Sequence, residues 1–349
     1  MQDKPKTICV LRLSAIGDVC HAVATVQALQ RHFPDARIFW VMGKVEATLV
    51  GDLPGIECIV FDKRAGWREF ARVRRQFAEP VDVLLHMQVA LRANLLAAMI
   101  PARRRLGFPR RLSKELHGLA VNERVPMPER PHVLEGFQAF AYALGVPPFA
   151  PFWDIPTSSA DQAWAQSQLA GDVPTLLISP AASKPERCWS PEGYAAIAEH
   201  AAAAGYQVLV TTGPAAWECE LAEAIVTRCA VPVTNLAGQT TLKTLLALLA
   251  RVQVVLAPDS GPAHMAVTQG VPVIGLYAHS NPARTGPYTS LHYVVENYHH
   301  SVELQRGAPS AALPWGTRAK GANLMRDISV DAVCAQFDRI AGRDASEGG

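Results

Sequence analysis

The sequence is poor in the features that assign a chain quickly. No stretch approaches the roughly 18–20 uninterrupted apolar residues of a membrane-spanning helix. The apolar run from Thr7 is broken by Arg12 and Asp18 before the hydrophobic region of a secretion signal can form. A cytoplasmic chain is expected, or one held at most on the cytoplasmic face of the inner membrane. The seven cysteines are odd in number, no two are spaced CxxC, and several lie in apolar runs, as Cys9 does. That argues against a disulfide framework and for reduced, buried thiols. No Cys/His cluster has zinc spacing, so no metal is expected. Charged residues make up 18% of the chain and the net charge is +2, too little to imply a nucleic-acid partner. The dinucleotide fingerprint GxGxxG is missing, which counts against an NAD or FAD enzyme, and no other cofactor is indicated.

What charge there is lies unevenly. Residues 1–150 carry 21 Lys and Arg against 14 Asp and Glu, and residues 151–349 carry 12 against 17. The first half is therefore +7 and the second −5, which suits a first half that meets something anionic.

Short apolar runs alternate with helical spacing. TICVLRL (7–13) reads as a buried strand, the segment from Val19 to Phe33 as a helix ended by Pro34 and Asp35, and RIFWVM (37–42) as a second strand. IECIVFD, the basic helix WREFARVRRQF, VDVLLHMQ and LRANLLAAMI continue the pattern. Prolines then cluster at 126, 128, 131, 147, 148, 151 and 156, the best linker region. Strands TLLISP, YQVLVTTG, VVLAP and VPVIGLY, with helices between them, restart the alternation. Residues 281–326 resist assignment. ISVDAVCAQFDRIAG reads as a closing helix capped by Ser329 or Asp331, and RDASEGG as a frayed tail. The chain is thus expected to be α/β, with two doubly wound Rossmann-like domains facing a central cleft. The first spans 1–155, and the second, 156–349, has a last helix free to pack back on the first.

Ligands of such sheets bind at the C-terminal ends of the strands. After the first strand comes SAIGD. Gly17 permits close approach of a ligand, and Asp18, at a helix start, is either a first-turn capping carboxylate or a general base. After TLLISP, Lys184 and Arg187 precede a helix at Pro191, a fitting site for a diphosphate. Thr212 and Gly213, and Leu236, Ala237 and Gly238, form small-residue loops that admit a nucleotide. Asp259-Ser260-Gly261-Pro262-Ala263-His264 opens a helix whose N–H groups can meet phosphates. Ser260 offers a hydroxyl, Asp259 can accept from sugar hydroxyls, and His264 lies one turn into the helix; capping and a satisfied histidine are the bland alternative.

These segments resemble a known family. RLSAIGDV, the K…R-x-W-S-P loop, the strand ending in TG, NLAGQTTL and APDSGPAHMAVTQGVPVIGLY are similar, over about residues 7–280, to the ADP-heptose:lipopolysaccharide heptosyltransferases, glycosyltransferase family 9. HMQVALRANLLAAMIPARRRLGF and PWGTRAKGA resemble its heptosyltransferase I-like branch. The resemblance implies a GT-B fold, an acceptor-binding first domain and a nucleotide-sugar-binding second domain. It also implies inverting, metal-independent transfer from ADP-L-glycero-D-manno-heptose to the Kdo and inner core of lipopolysaccharide. Asp18 matches the family's catalytic base. Lys184 and Arg187 match its donor-phosphate loop, and Asp259, Ser260, Gly261 and His264 its donor-binding helix start. The loop departs from the family in reading E-R-C-W-S-P where many members have K-R-W-P.

A Kdo-lipid A acceptor would bring carboxylates and phosphates, and Gln88, Arg92 and Arg64 are its best candidate contacts. Lys63, Arg68, Arg72 and the Arg103–Arg105 run are weaker ones, and WREFARVRRQF could rest on anionic lipid. Two other readings stay open on sequence. One is another GT-B sugar-nucleotide transferase or epimerase; the other is a non-catalytic nucleotide-sugar-binding protein.

Overall fold

The computed structural model describes residues 4–342; the expected frayed tail lies outside them. The chain divides at Pro156/Thr157 into two compact units.

The first unit runs β1 Thr7–Leu11, α1 Ile16–His32, β2 Arg37–Gly43, α2 Lys44–Val50, β3 Ile56–Phe61, α3 Trp67–Arg75, β4 Val81–His86, α4 Leu91–Met99, β5 Ala102–Gly107, β6 Glu123–Arg124 and α5 Val133–Tyr142. Its six strands are all parallel, in the order β3-β2-β1-β4-β5-β6. The central strands read as unbroken apolar runs because helices cover both faces. Ile8, Leu11, Ile38 and Trp40 are buried to 1% exposure or less, and each such side chain contributes about 1.5–3 kcal/mol. α3 and α4 lie side by side and bury Phe70, Val73, Ala93, Leu96 and Ala97 with Cys9 and Leu11. β5 escapes sequence reading because Arg103, Arg104 and Arg105 interrupt it. Those arginines serve structure: Arg104 pairs with Glu123 at 2.7 Å, Arg103 with Asp82 at 3.5 Å, and Arg105 donates to the Ile100 carbonyl.

The proline-rich stretch ends as a strap on α1. Trp153 donates to the Cys20 carbonyl (2.8 Å), and Gln27 exchanges two hydrogen bonds with the Asp154 backbone.

The second unit runs α6 Ser159–Ser167, β7 Thr175–Ile178, α7 Pro191–Ala203, β8 Gln207–Val210, α8 Ala216–Val226, β9 Thr234–Asn235, α9 Leu242–Leu249, β10 Val254–Pro258, α10 Gly261–Thr268, β11 Val273–Tyr277, α11 Pro282–Thr285, β12 Val295–Glu296, α12 Tyr298–Arg306 and α13 Val330–Ile340. Its sheet is again six parallel strands, β12-β11-β10-β7-β8-β9. α7 starts on the Ser190 cap with Pro191 first and stops before Gly205 at φ +85°, as cap chemistry requires. α13, capped by Ser329, puts Val333 and Phe337 into this unit's core with Tyr194 and Ile197. The stretch 281–326, opaque in sequence, supplies α11, β12, α12 and short 3-10 turns.

Candidate active site

Each sheet reverses its strand order once, at β1/β4 in the first unit and at β7/β10 in the second. The loops leaving such a switch point diverge and open a crevice at the strands' C-terminal ends. The sequence places its chemistry in these loops.

In the first unit, residues 11–13 prolong the ladder past β1. Met87 N–H donates to the Leu11 carbonyl, Arg12 N–H to Val41 and Gly43 N–H to Leu13. The Arg12 guanidinium lies over the Phe137 ring, donates to the Met87 carbonyl at 2.6 Å and pairs with the Asp18 carboxylate. Asp18 also accepts from Ala15 N–H at 3.3 Å. The capping contact is therefore present, and it uses the same oxygen, Oδ2, that Arg12 holds. Gln88 accepts from Leu13 N–H at 2.7 Å and donates to the Ser14 hydroxyl at 3.4 Å. Asp18 and Gln88 thus belong to one loop cluster. Arg64 and Arg92 are exposed at the starts of the loops or helices after β3 and β4 and stand outside that network among the described residues.

Three residues near this cluster carry no sequence signal of their own. Burial pushes the Glu46 carboxyl upward, against the pull of its own backbone N–H, Lys63 and Arg12. His86, at the end of β4, and His117 stack at 4.6 Å and both point a ring nitrogen at Asn94 Oδ1, at 2.7 and 3.1 Å. Since the Asn94 carbonyl oxygen can only accept, each ring carries a proton on the nitrogen that faces it, and His117 accepts from Phe108 N–H at its other nitrogen, as only a neutral ring can. Burial, aided by nearby positive charge, lowers His86 to about 3 and His117 to about 4.

In the second unit the loop after β7 forms a 3-10 turn, Pro185–Arg187. Lys184 is exposed and pairs with Glu186 at 3.6 Å, and Arg187 donates to Ser183. The loop is anchored below by Trp189, whose indole donates to the Ile328 carbonyl, and by His279, whose Nε2 lies 2.9 Å from the Glu186 carbonyl. Past β10, Asp259 is bonded by the Ser280 hydroxyl and lies 3.7 Å from His264 Nε2. Burial pushes this carboxyl upward, but His264, Ser280 and the Arg318 charge outweigh it and hold the group below its ordinary value. Ser260 precedes α10 without capping it, and its buried hydroxyl has no partner among the described residues. A buried hydroxyl without a partner is rare in a native fold, and this one sits at the start of α10, where the N–H groups of a helix's first turn have no intrahelical carbonyl to meet. Ser280 and Arg318 were not foreseen. Ser280 comes after a strand, as the other loop residues do, whereas Arg318 arrives by tertiary folding alone.

On the other side of β7, Gly238 (φ +68°) donates to the Thr212 carbonyl at 3.1 Å and Ala237 to the Asn235 side chain. Leu236 and Thr212 are buried. A Cβ on Gly213 would stand 2.3 Å from the Glu218 carboxylate. An open hollow of about 410 Å³ adjoins this loop, lined by Cys219, Glu220, Glu223, Asn235, Ala237 and Gln239.

The arrangement offers anion-binding donors in one unit and a held carboxylate in the other, and the chain that carries it has relatives with known names. The family model described as "Glycosyltransferase family 9 (heptosyltransferase)" matches residues 70–315. The lipopolysaccharide core heptosyltransferase OpsX of Haemophilus influenzae is 44% identical over 97% of this chain and 98% of its own. A glycosyltransferase family 9 crystal structure from Veillonella parvula has the same fold, with TM-score 0.79 at 22% identity over 97% and 98% of the two chains. The E. coli ADP-heptose lps heptosyltransferase II aligns with TM-score 0.72 at 20% identity over 97% and 99%. The fold is thus GT-B.

Proposed function

Because the chain belongs to glycosyltransferase family 9, the heptosyltransferases, we propose that it transfers a heptose from ADP-L-glycero-D-manno-heptose to the Kdo region of the lipopolysaccharide inner core. The observation that carries this reading is the near full-length likeness to the H. influenzae core heptosyltransferase. The loop chemistry supports the following roles.

The donor belongs to the second unit. The Ser260 hydroxyl and the first N–H groups of α10 receive the diphosphate, with Lys184 and Arg187 supplying positive charge. Asp259 is spent on Ser280 and His264 and orders that pocket; Thr212, Gly213 and the 236–238 loop border the nucleoside. The acceptor belongs to the basic first unit, with Gln88, Arg92 and Arg64 as its contacts.

Transfer is a single displacement with inversion. An acceptor hydroxyl gives its proton to the Asp18 carboxylate as its oxygen bonds to the anomeric carbon. The bond from that carbon to the diphosphate oxygen breaks on the opposite face, and ADP leaves with the electron pair. Arg12 and Ala15 N–H both hold Oδ2, which leaves Oδ1 as the proton acceptor. The ring passes through oxocarbenium character, as in other glycosyl transfers. Charge on the departing ADP is met by fixed N–H groups and cations, so the step asks for no metal.

An assay of ADP release from ADP-heptose, with and without Kdo-lipid A and with excess chelator, tests the reading. Acceptor-dependent release that survives chelation, with the opposite anomeric configuration in the product, is the expected result. Release that ignores the acceptor, or a product of retained configuration, removes it.

A further inference from the structure

The outer face of the α3/α4 layer combines an uncovered apolar stripe with dense positive charge. α3 and α4 turn their inner faces to the same side of the first sheet. On α4, Leu91, Leu95 and Met99 recur at intervals of four and form one row, left 37–46% exposed. Beside the start of that row lies the segment 114–119, fastened there because Asn94 donates to the Glu115 carbonyl and the Glu115 carboxylate accepts from Leu91 N–H. It carries Leu116, 67% exposed, and Leu119, 82% exposed. Glu115 and Leu116 both have positive φ, 51° and 65°, a costly conformation for side chains of this size. The fold therefore presents these leucines outward on a turn that ordinary sequence preference would avoid.

The charge around the stripe is one-sided. Residues 63–116 hold 13 Lys and Arg against 4 Asp and Glu. Of those carboxylates, Glu69 is taken by Arg72, Asp82 by the Thr7 and Lys6 backbone and Arg103, and Glu115 by the α4 start. Arg68 and Arg75 stand exposed on α3, and Arg110 and Lys114 on the other flank. α3 turns Phe70 and Val73 into the core and leaves Trp67, at its start, 71% exposed. The basic helix expected from the sequence to rest on lipid thus contributes the exposed Trp67 as well as its arginines.

We propose that this face docks on an anionic bilayer, with Leu91, Leu95, Leu116 and Leu119 entering the headgroup boundary and the arginines of α3 meeting lipid phosphates. Exposed leucines ringed by Arg and Lys are the chemistry such a surface recognises. A second copy of the chain is a poor occupant, since pairing this face with itself would oppose two strongly positive surfaces. The purpose of docking rests on the lipid-linked acceptor proposed above; the docking itself does not.

The test is co-sedimentation of the full chain, without donor or acceptor. One set of vesicles is phosphatidylethanolamine with phosphatidylglycerol, the other phosphatidylcholine alone, both at low salt. Binding to the anionic vesicles alone is expected, weakening about tenfold in Leu91→Ser/Leu95→Ser and in Leu116→Ser/Leu119→Ser, and also in Arg68→Glu/Arg75→Glu. Unchanged thermal melting verifies that each variant is folded. Absence of anionic binding in the parent chain, unaltered binding by the leucine variants, or self-association that these substitutions abolish while vesicle binding persists would each overturn the proposal. Vesicle binding without heptose transfer would refute the function and keep the surface. Transfer to a detergent-dispersed acceptor without vesicle binding would do the reverse.

Discussion

The Arg12 guanidinium lies against the Asp18 carboxylate, held from behind by the Met87 carbonyl and the Phe137 ring. A base gains from being fixed, because proton transfer needs hydrogen-bond reach at the moment of attack. Replacing Asp18 with Asn should lower turnover by about 10²–10⁴ and leave ADP affinity unchanged. Arg12→Met, which frees the carboxylate without removing it, should lower kcat by about 10–10² with donor KM little altered, and Arg12→Lys should recover part of the loss. Steady-state kinetics with isothermal titration of ADP decide this. An Asp18→Asn enzyme with near-normal turnover would leave the residue as a helix cap.

The Ser280–Asp259–His264 chain should matter to donor binding and not to the base. Ser280→Ala strips one hydrogen bond from a largely buried carboxylate, which costs about 1–3 kcal/mol where the group stays charged. A donor KM raised about tenfold, with kcat within about threefold, is expected from initial rates at saturating acceptor. Ser260→Ala should weaken ADP binding by a similar factor, and unaltered ADP affinity would remove its hydroxyl from the diphosphate site.

Gly43, the last residue of β2, donates its N–H to the Leu13 carbonyl. A Cβ there would stand 2.4 Å from the Leu13 carbonyl and 2.3 Å from the Glu46 carboxylate. The carboxylate can swing aside, but the carbonyl belongs to the segment that carries Arg12. Gly43→Ala should therefore destabilise the chain by about 1–3 kcal/mol and reduce turnover, as read by urea unfolding and the transfer assay. Gly213→Ala meets only the flexible Glu218 carboxylate and should be tolerated much better.

His86 and His117 predict a pH dependence of stability. Both are lowered from the ordinary 6.5, to about 3 and about 4, chiefly by burial. Below about pH 6.5 the unfolded chain binds protons that the native chain refuses, so stability falls with falling pH. The contribution is complete above pH 6.5 and declines towards pH 4, by up to about 1.4 kcal/mol per pH unit for each imidazole. Urea midpoints at pH 7, 6 and 5 should fall in that order, and His86→Asn/His117→Gln should flatten the slope. A parent chain with equal midpoints at pH 7 and 5 contradicts the assignment of two buried neutral rings.

Much was legible in the residues alone. β1, α1, β4, β10, α10 and β11 emerge from apolar runs and cap residues, and the loops leaving the strand ends yield Asp18, Gln88, Lys184, Asp259 and Ser260 together with Thr212 and Gly238. β5 was hidden because its three arginines face partners on neighbouring segments that periodicity does not reveal. The acceptor role of Arg103–Arg105 is weakened for the same reason, since their guanidiniums are engaged with Asp82, Glu123 and Ile100.

Local pattern decided the parallel α/β architecture, because a strand buried on both faces and a helix with a cap and a stop each declare themselves within a dozen residues. It also decided which loops carry the polar chemistry. Which partner each loop residue takes was settled only by the tertiary structure. Arg12 meets Met87, Ser280 meets Asp259, and His86 meets His117 through Asn94, all across separations that no local periodicity encodes. The exposure of Leu116 and Leu119 is of the same kind: an apolar residue in sequence is presumed buried until the packed fold shows that nothing described within its own unit covers it.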